Sequence, residues 1–164
     1  MNTYWSTIDT PIGPFTALVD DEGQVLASGW TAQADTLHAL IHPSLRDDLR
    51  NRRDLGAVTA AVCAYHAGDL GAPDAIPVRQ HTSGVFLPAA WKALRDVRAG
   101  EPITYTELAA RSGNPAAVRA AAQACARNAA ALFVPCHRVV RVGGALGGFR
   151  WGMSVKQWLL THEA

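Results

Sequence analysis

Apolar and polar positions form three short blocks near the start of the chain. Tyr4–Ile8, Phe15–Val19 and Val25–Trp30 each read as a strand. Thr10-Pro11-Ile12-Gly13-Pro14 is turn punctuation between the first two, and Asp20-Asp21-Glu22-Gly23 is a hairpin turn between the last two. Together they predict an antiparallel meander. Helical stretches are then predicted around Ala32–Ile41 and Ser44–Arg53, the second charged and surface-like. Ala57–Ala67 is a stronger helix, closed by Gly68. Its Val58, Ala61, Val62 and Tyr65 recur at i, i+3, i+4 and i+7 and make one apolar face. Cys63 lies in this helix with no charged partner nearby, and is expected as core filler. Gly68–Val78 is rich in glycine and proline and reads as a linker, which divides the chain into residues 1–79 and 80–164.

The second part opens with a helix over Pro88–Arg98 that turns Trp91 and Leu94 inward. Thr104-Tyr105-Thr106-Glu107 is a capping box, in which the Thr104 hydroxyl takes the third helical N–H and Glu107 reaches back. Gly113 closes that short helix, and Asn114-Pro115 signals the start of another, running to about Arg127. Two short helices joined by a glycine-containing turn are the signature of a helix-turn-helix. Phe133-Val134 reads as a short buried strand stopped by Pro135. The next residues are Cys136, His137 and Arg138, and Val139-Val140 resume the apolar run. In the last helix Ser154 is expected as cap with Gln157 at the box position. Val155, Trp158, Leu159 and His162 should face inward, with Glu163 at the stripe's edge.

With 164 residues and 49% apolar content, the chain can hold one compact domain or two small ones. No apolar run reaches the ~18 residues of a membrane span. The N-terminal residues lack the basic and apolar regions of a signal peptide, so a cytoplasmic location is expected. Three cysteines without a C-x-x-C argue against a disulfide framework or a cysteine zinc site. His38, His42 and His66 are scattered, so no metal site is expected. The net charge of +1 conceals an asymmetry: residues 1–79 sum to −5 and residues 80–164 to +6. A basic second half points to a polyanionic partner.

The helix over 115–127 is sheathed in alanine: Ala116, Ala117, Ala120, Ala121, Ala122, Ala124 and Ala126. An ordinary helix is ~10–12 Å across and the minor groove of DNA is ~6 Å wide. An alanine helix is slimmer, lies closer to the sugar-phosphate walls, and carries few side chains able to read bases. Alanine also reflects helix propensity alone. Arg119 is either a solvated charge or a side chain that inserts into the base stack. Cys136 is either a structural thiol or a nucleophile, and Glu163 either frays into solvent or finds a buried partner. Gly147-Gly148-Phe149-Arg150-Trp151-Gly152 contains no Gly-Lys-Ser/Thr and is not a phosphate loop. Its glycines suit a wall that approaches a flat ligand closely.

Taken together, these residues resemble the O6-alkylguanine-DNA alkyltransferases. The resemblance rests on Asn128 with Val134-Pro135-Cys136-His137-Arg138-Val139-Val140, and on Gly147–Gly152 with Lys156, Leu159-Leu160 and Glu163. Thr104-Tyr105, Asn114-Pro115, Arg119-Ala120 and Phe86 with Trp91–Leu94 fall where the family has them; Thr10–Pro14 matches more weakly. The second half looks most like the alkyltransferase half of the bacterial adaptive-response protein. The resemblance implies an α+β chain: a small N-terminal ribonuclease H-like α/β domain, then a C-terminal winged helix-turn-helix domain. It implies Cys136 as alkyl acceptor, His137 as base, Glu163 as its orienter and Asn128 as a brace. Tyr105, Arg119, Ala120, Arg127 and Arg138 would handle DNA and the flipped base. Tyr105, Val139, Phe149, Arg150 and Trp151 would line the pocket. The implied partner is double-stranded DNA carrying O6-alkylguanine, bound in its minor groove by a monomer, with no cofactor and no metal. Phe149 stands where the family usually has tyrosine, which removes a hydroxyl and leaves stacking.

Chemistry independent of the resemblance agrees. A free thiol is only a few per cent thiolate near neutral pH, so Cys136 needs a proton acceptor. His137 could reach it through a bridging water, and a negative Glu163 would favour the resulting imidazolium. Transfer to sulfur gives a thioether that water does not release, so the protein should act once. Three rivals are weaker. A lesion-binding module would lack the acceptor cysteine, and a winged-helix regulator would carry base readers. A cysteine hydrolase would not pair adjacent Cys and His with a DNA-type helix pair.

Overall fold

The computed structural model describes all 164 residues and is mixed α+β, as expected. By its contacts the chain divides into two compact units. The first holds Met1–His81 together with Ala129–Phe133, and the second holds Thr82–Asn128 and Val134–Ala164. A short piece of the second half, next to Cys136, groups with the first unit.

In the first unit, strands β1 (Asn2–Thr10), β2 (Gly13–Val19) and β3 (Val25–Gly29) form the predicted antiparallel meander. The β1–β2 register runs from Tyr4 opposite Val19 to Thr10 opposite Gly13. Asp20 closes the next turn by accepting the backbone N–H of Glu22 and of Gln24, both at 2.9 Å. Helix α1 (Ala34–His38) is shorter than the stretch predicted over 32–41. The helix predicted over 44–53 is absent. A 3-10 turn at Pro43–Leu45 leads instead into β4 (Asp48–Asn51), which pairs parallel with β1 and completes the order β3-β2-β1-β4. That pairing is non-local, and it overrides a local helical pattern.

Helix α2 (Ala57–His66) buries the predicted Val58, Ala61, Val62 and Tyr65. Cys63 is exposed, not core: it follows Val62 and is turned ~100° away from the buried face. Phe15 sits edge-on to Trp30, with centroids 5.0 Å apart, and Phe133 joins the cluster at 6.4 Å from Phe15. Ser28 anchors residues 129–133: its N–H donates to Ala129 O at 2.8 Å and its hydroxyl to Ala131 O at 2.7 Å. Phe133-Val134 is a turn rather than the expected strand. Leu132, with φ 77°, bends the chain there, and Pro135 removes a donor.

The second unit contains α3 (Phe86–Arg95), β5 (Ile103–Thr104), α4 (Tyr105–Arg111), α5 (Val118–Ala126), β6 (Val139–Val140) and α6 (Met153–Glu163). The capping box forms as predicted: Glu107 N–H donates to Thr104 Oγ1 at 3.1 Å, and Thr104 N–H to Glu107 Oε1 at 3.2 Å. Helix α5 begins at Val118, three residues later than its signal, because Asn114 Oδ1 accepts Ala116 N–H in a separate turn. Trp91 Nε1 ties α3 to α5 through Ala124 O at 2.9 Å. In α6 the cap is Gly152, not Ser154. The buried stripe is Lys156, Leu159 and Glu163, turned from the apolar stripe that the sequence suggests. No helix is long and apolar enough to cross a membrane.

Candidate active site

Pro135 leads into a one-turn 3-10 helix, Cys136–Arg138, all three residues buried. Asn128 shapes this turn: its Nδ2 donates to Val134 O at 2.8 Å, and its side chain also hydrogen-bonds Cys136. Cys136 N–H returns to the same Val134 O at 2.8 Å. Burial pushes the Cys136 thiol up. The Asn128 hydrogen bond and the charges of Lys156 and Arg150 oppose this without cancelling it. At rest Cys136 is therefore a protonated thiol, unlike cysteines activated by a lowered pKa.

The side chain that can take its proton stands beside it in sequence. His137 Nε2 lies 2.8 Å from Glu163 Oε2, and both side chains are buried. Nδ1 is buried as well and has no hydrogen-bond partner. Burial pushes the imidazole down, against the hydrogen bond and charge of Glu163, so His137 is neutral in the resting protein. For Glu163 burial alone would raise the carboxyl, but His137 and Arg138 outweigh it and hold it at about 2. A carboxylate at the end of α6 opposes the helix dipole, and these two partners supply what that position lacks. Gly100 makes room for the end of α6: a Cβ there would fall 2.8 Å from the backbone oxygen of Glu163.

Tyr105, half-buried at the start of α4, packs against Gly147, where a Cβ would stand 2.8 Å from the phenol oxygen. Burial first, then the thiols of Cys125 and Cys136, push the Tyr105 hydroxyl up to about 12. It therefore stays a proton donor at any ordinary pH. Phe149 and Trp151 are half-buried in the same loop, and Arg150 donates to Ala126 O at the end of α5. Lys156 Nζ donates to Val139 O at 2.8 Å and Gly148 O at 3.3 Å, stapling the strand after the thiol to the glycine loop. Helix α5 exposes Arg119, Ala122, Gln123 and Ala126 along one face, with exposed Arg127 just beyond and Ala120 at its half-buried edge.

A family model described as the DNA-binding domain of 6-O-methylguanine DNA methyltransferase matches residues 86–164. The methylated-DNA–protein-cysteine methyltransferase of Salmonella typhimurium is 33% identical over 160 residues, which cover 95% of this chain and 92% of that protein. This chain belongs to the methylated-DNA–protein-cysteine methyltransferase family. Over 79 residues it is 52% identical to the bifunctional transcriptional activator and DNA repair enzyme Ada of Escherichia coli, 22% of which is covered. The Mycobacterium tuberculosis OGT crystallised in complex with DNA superposes with a TM-score of 0.79 at 28% identity, over 98% of this chain and 92% of that one.

Among the residues expected to act in this methyltransferase-family chain, Asn128 hydrogen-bonds Cys136, the adjacent His137 hydrogen-bonds Glu163, and all four are buried. Tyr105 and Arg150 influence or are influenced by the Cys136 sulfur. Val139 is fully buried and pairs with Ile103 between β5 and β6. One expectation is corrected: Arg138 is not on a DNA-facing surface. It is 4% exposed and its guanidinium is committed to Glu163 and to Val97 O. The buried carboxylate of Glu163 and the Val97 carbonyl take all of its guanidinium nitrogens, which holds the side chain in the core. Lys156 and Cys125 also stand at the site, and the sequence assigns neither a role. Lys156 lies seven positions before Glu163 and three before Leu159, a helical spacing that would have found it. Cys125, whose thiol is pushed up by burial first, carries no local signal.

Proposed function

We propose that this chain repairs DNA directly, by irreversible and stoichiometric transfer of an alkyl group from O6 of guanine to Cys136 after the base is flipped out. The observation that carries the reading is the buried cluster Asn128–Cys136–His137–Glu163: a thiol with no solvent-borne charge beside a neutral imidazole oriented by a carboxylate. The thiol proton passes to His137 across a bridging water, and the imidazolium is met by Glu163. The sulfur attacks the alkyl carbon, a C–S bond forms, and the C–O6 bond breaks with its electron pair on the base. Tyr105 is a standing hydrogen-bond donor for that departing charge. The base takes up a proton and leaves as guanine, and the thioether stays. No metal or organic cofactor has a step to perform.

The N-terminal unit is read as a ribonuclease H-like domain and the C-terminal unit as a winged helix-turn-helix. A monomer lays the exposed face of α5 in the minor groove of double-stranded DNA, in the cytoplasm. The slim face of Ala122 and Ala126, flanked by Arg119 and Arg127 and carrying Gln123 as its one amide, supports this, because phosphate contacts with few base readers suit lesions in any sequence. Phe149 stacks on the flipped base with no hydroxyl to contact it.

The test is intact mass after incubation with a duplex oligonucleotide carrying O6-methylguanine. The wild-type protein should gain one methyl group, once, on the peptide containing Cys136, and Cys136→Ala should gain none. No gain in the wild type, or a gain that persists in Cys136→Ala, ends the reading.

A further inference from the structure

Arg138 follows the Cys-His pair directly, yet nothing in the proposed transfer uses it. Its three donor nitrogens are all spoken for. Nε donates to Glu163 Oε1 at 2.9 Å, Nη2 to Glu163 Oε2 at 3.0 Å, and Nη1 to Val97 O at 2.7 Å, just past the end of α3. Glu163 Oε2 is the same oxygen that meets His137 Nε2. One guanidinium therefore holds the carboxylate by both oxygens and fixes that carboxylate to a second element.

We propose that Arg138 is a positioning residue for the His137 base: its two-point grip on Glu163 locks the carboxylate plane and charge, so that His137 is held as the Nε2–H form with Nδ1 as the proton acceptor. Arginine cannot give up its proton, and its planar fork matches a carboxylate edge. An ionised carboxylate only accepts, so the nitrogen facing it must carry the hydrogen. That leaves the lone pair on Nδ1, the buried nitrogen with no partner. A buried Glu163 lacking Arg138 would be pushed up toward protonation and, as an acid, could donate to Nε2 instead. The tautomer would then reverse, and the lone pair would point at the carboxyl. Arg138 also sets how readily the base charges. The charged groups around His137 are Glu163 and Lys156 from α6 and Arg138 from its own turn. Glu163 favours the imidazolium; Arg138 and Lys156 oppose it. With the Arg138 charge present, the imidazole remains neutral and able to accept.

This inference rests on the reading of Cys136 as alkyl acceptor, and the two fail separately. Failure of the wild-type protein to gain a methyl group removes the function and says nothing against the tautomer. The experiment uses full-length wild type, Arg138→Met and Arg138→Lys. Two quantities are read: the single-turnover rate of Cys136 methylation by the O6-methylguanine duplex against pH, and the His137 tautomer by nitrogen-15 NMR. Wild type should show one tautomer, protonated on Nε2. Arg138→Met should show a mixture and transfer about tenfold or more slowly, as expected for a misaligned base. Arg138→Lys should keep the wild-type tautomer, since the charge keeps Glu163 ionised, but stay slow, since a single-point donor does not fix the plane. A folded Arg138→Met with the wild-type tautomer and rate overturns the proposal. If that variant does not fold, Arg138→Lys decides: a wild-type rate overturns the proposal, and a slow rate with the wild-type tautomer supports it. An arginine that only stabilised the fold would move the melting temperature and leave the tautomer unchanged.

Discussion

Asn128 shows how closely the thiol depends on one neighbour. Its amide both satisfies Val134 O, which also takes Cys136 N–H, and hydrogen-bonds the thiol, so it shapes the turn and favours the thiolate. Asn128→Ala removes both effects. The buried Val134 carbonyl keeps one partner, so the stability cost should be on the order of 1–2 kcal/mol. The larger effect falls on chemistry, because burial then raises the thiol with less opposition. The rate of Cys136 alkylation by a small electrophile, measured between pH 6 and pH 10, should drop and its midpoint should move to higher pH. An unchanged midpoint would show that Asn128 acts on the fold alone. Cys136, His137 and Asn128 were legible in the sequence because their spacing around Pro135 is local and distinctive. Arg138 was not: its orientation follows from a 3-10 turn and a carboxylate twenty-five residues later. The resemblance counted it among the DNA contacts, where the geometry places it in the core.

At the scale of elements, local signals were read well and long-range ones poorly. The meander, α2 and the Thr104–Glu107 box declare themselves through turns, periodicity and caps within a few residues. Strand β4 does not, because Asp48–Asn51 becomes a strand only by pairing with Asn2–Trp5. The inner face of α6 was misread for a different reason. Its buried positions include Lys156 and Glu163, and a search for apolar residues passes over charges that are paired inside. The alanine helix α5 was legible, since small side chains on its exposed face are written directly in the sequence. Its Arg119 lies in the first turn, exposed and with no ion pair that would hold it to the protein. Arg119→Ala should leave thermal stability within about 0.5 kcal/mol, as for an unpartnered surface residue. It should lower the repair rate of O6-methylguanine in duplex DNA far more than the reaction with the free modified base. Equal losses on both substrates would remove the flipping role and leave Arg119 a general phosphate contact.

Across the whole molecule, charge and burial combine to make acid the weak side of stability. Residues 80–164 carry a net +6 with only four acidic side chains, one of them Glu163. Glu163 is held at about 2, well below its unfolded value, and His137 is held below the usual imidazole value. In both cases the folded state binds fewer protons than the unfolded state, so stability rises with pH across each window. The His137 contribution is complete above about pH 6.5 and declines as pH falls through that value. The Glu163 contribution is complete above the usual carboxylate range, declines below it, and is gone near pH 2; by the linkage relation it is on the order of 3 kcal/mol. Protonating Glu163 also strands the buried Arg138 cation and leaves the second half with still fewer negative charges against its own repulsion. Melting temperature should therefore fall in two stages between pH 7 and pH 3. Glu163→Gln should melt lower than wild type at pH 7, lack the second stage, and converge on wild type as pH approaches 3. High salt separates the two origins, because it screens repulsion between surface charges and barely reaches a buried pair. The second stage should persist in 0.5 M salt, and parallel melting curves for wild type and Glu163→Gln at every pH would place the acid sensitivity elsewhere.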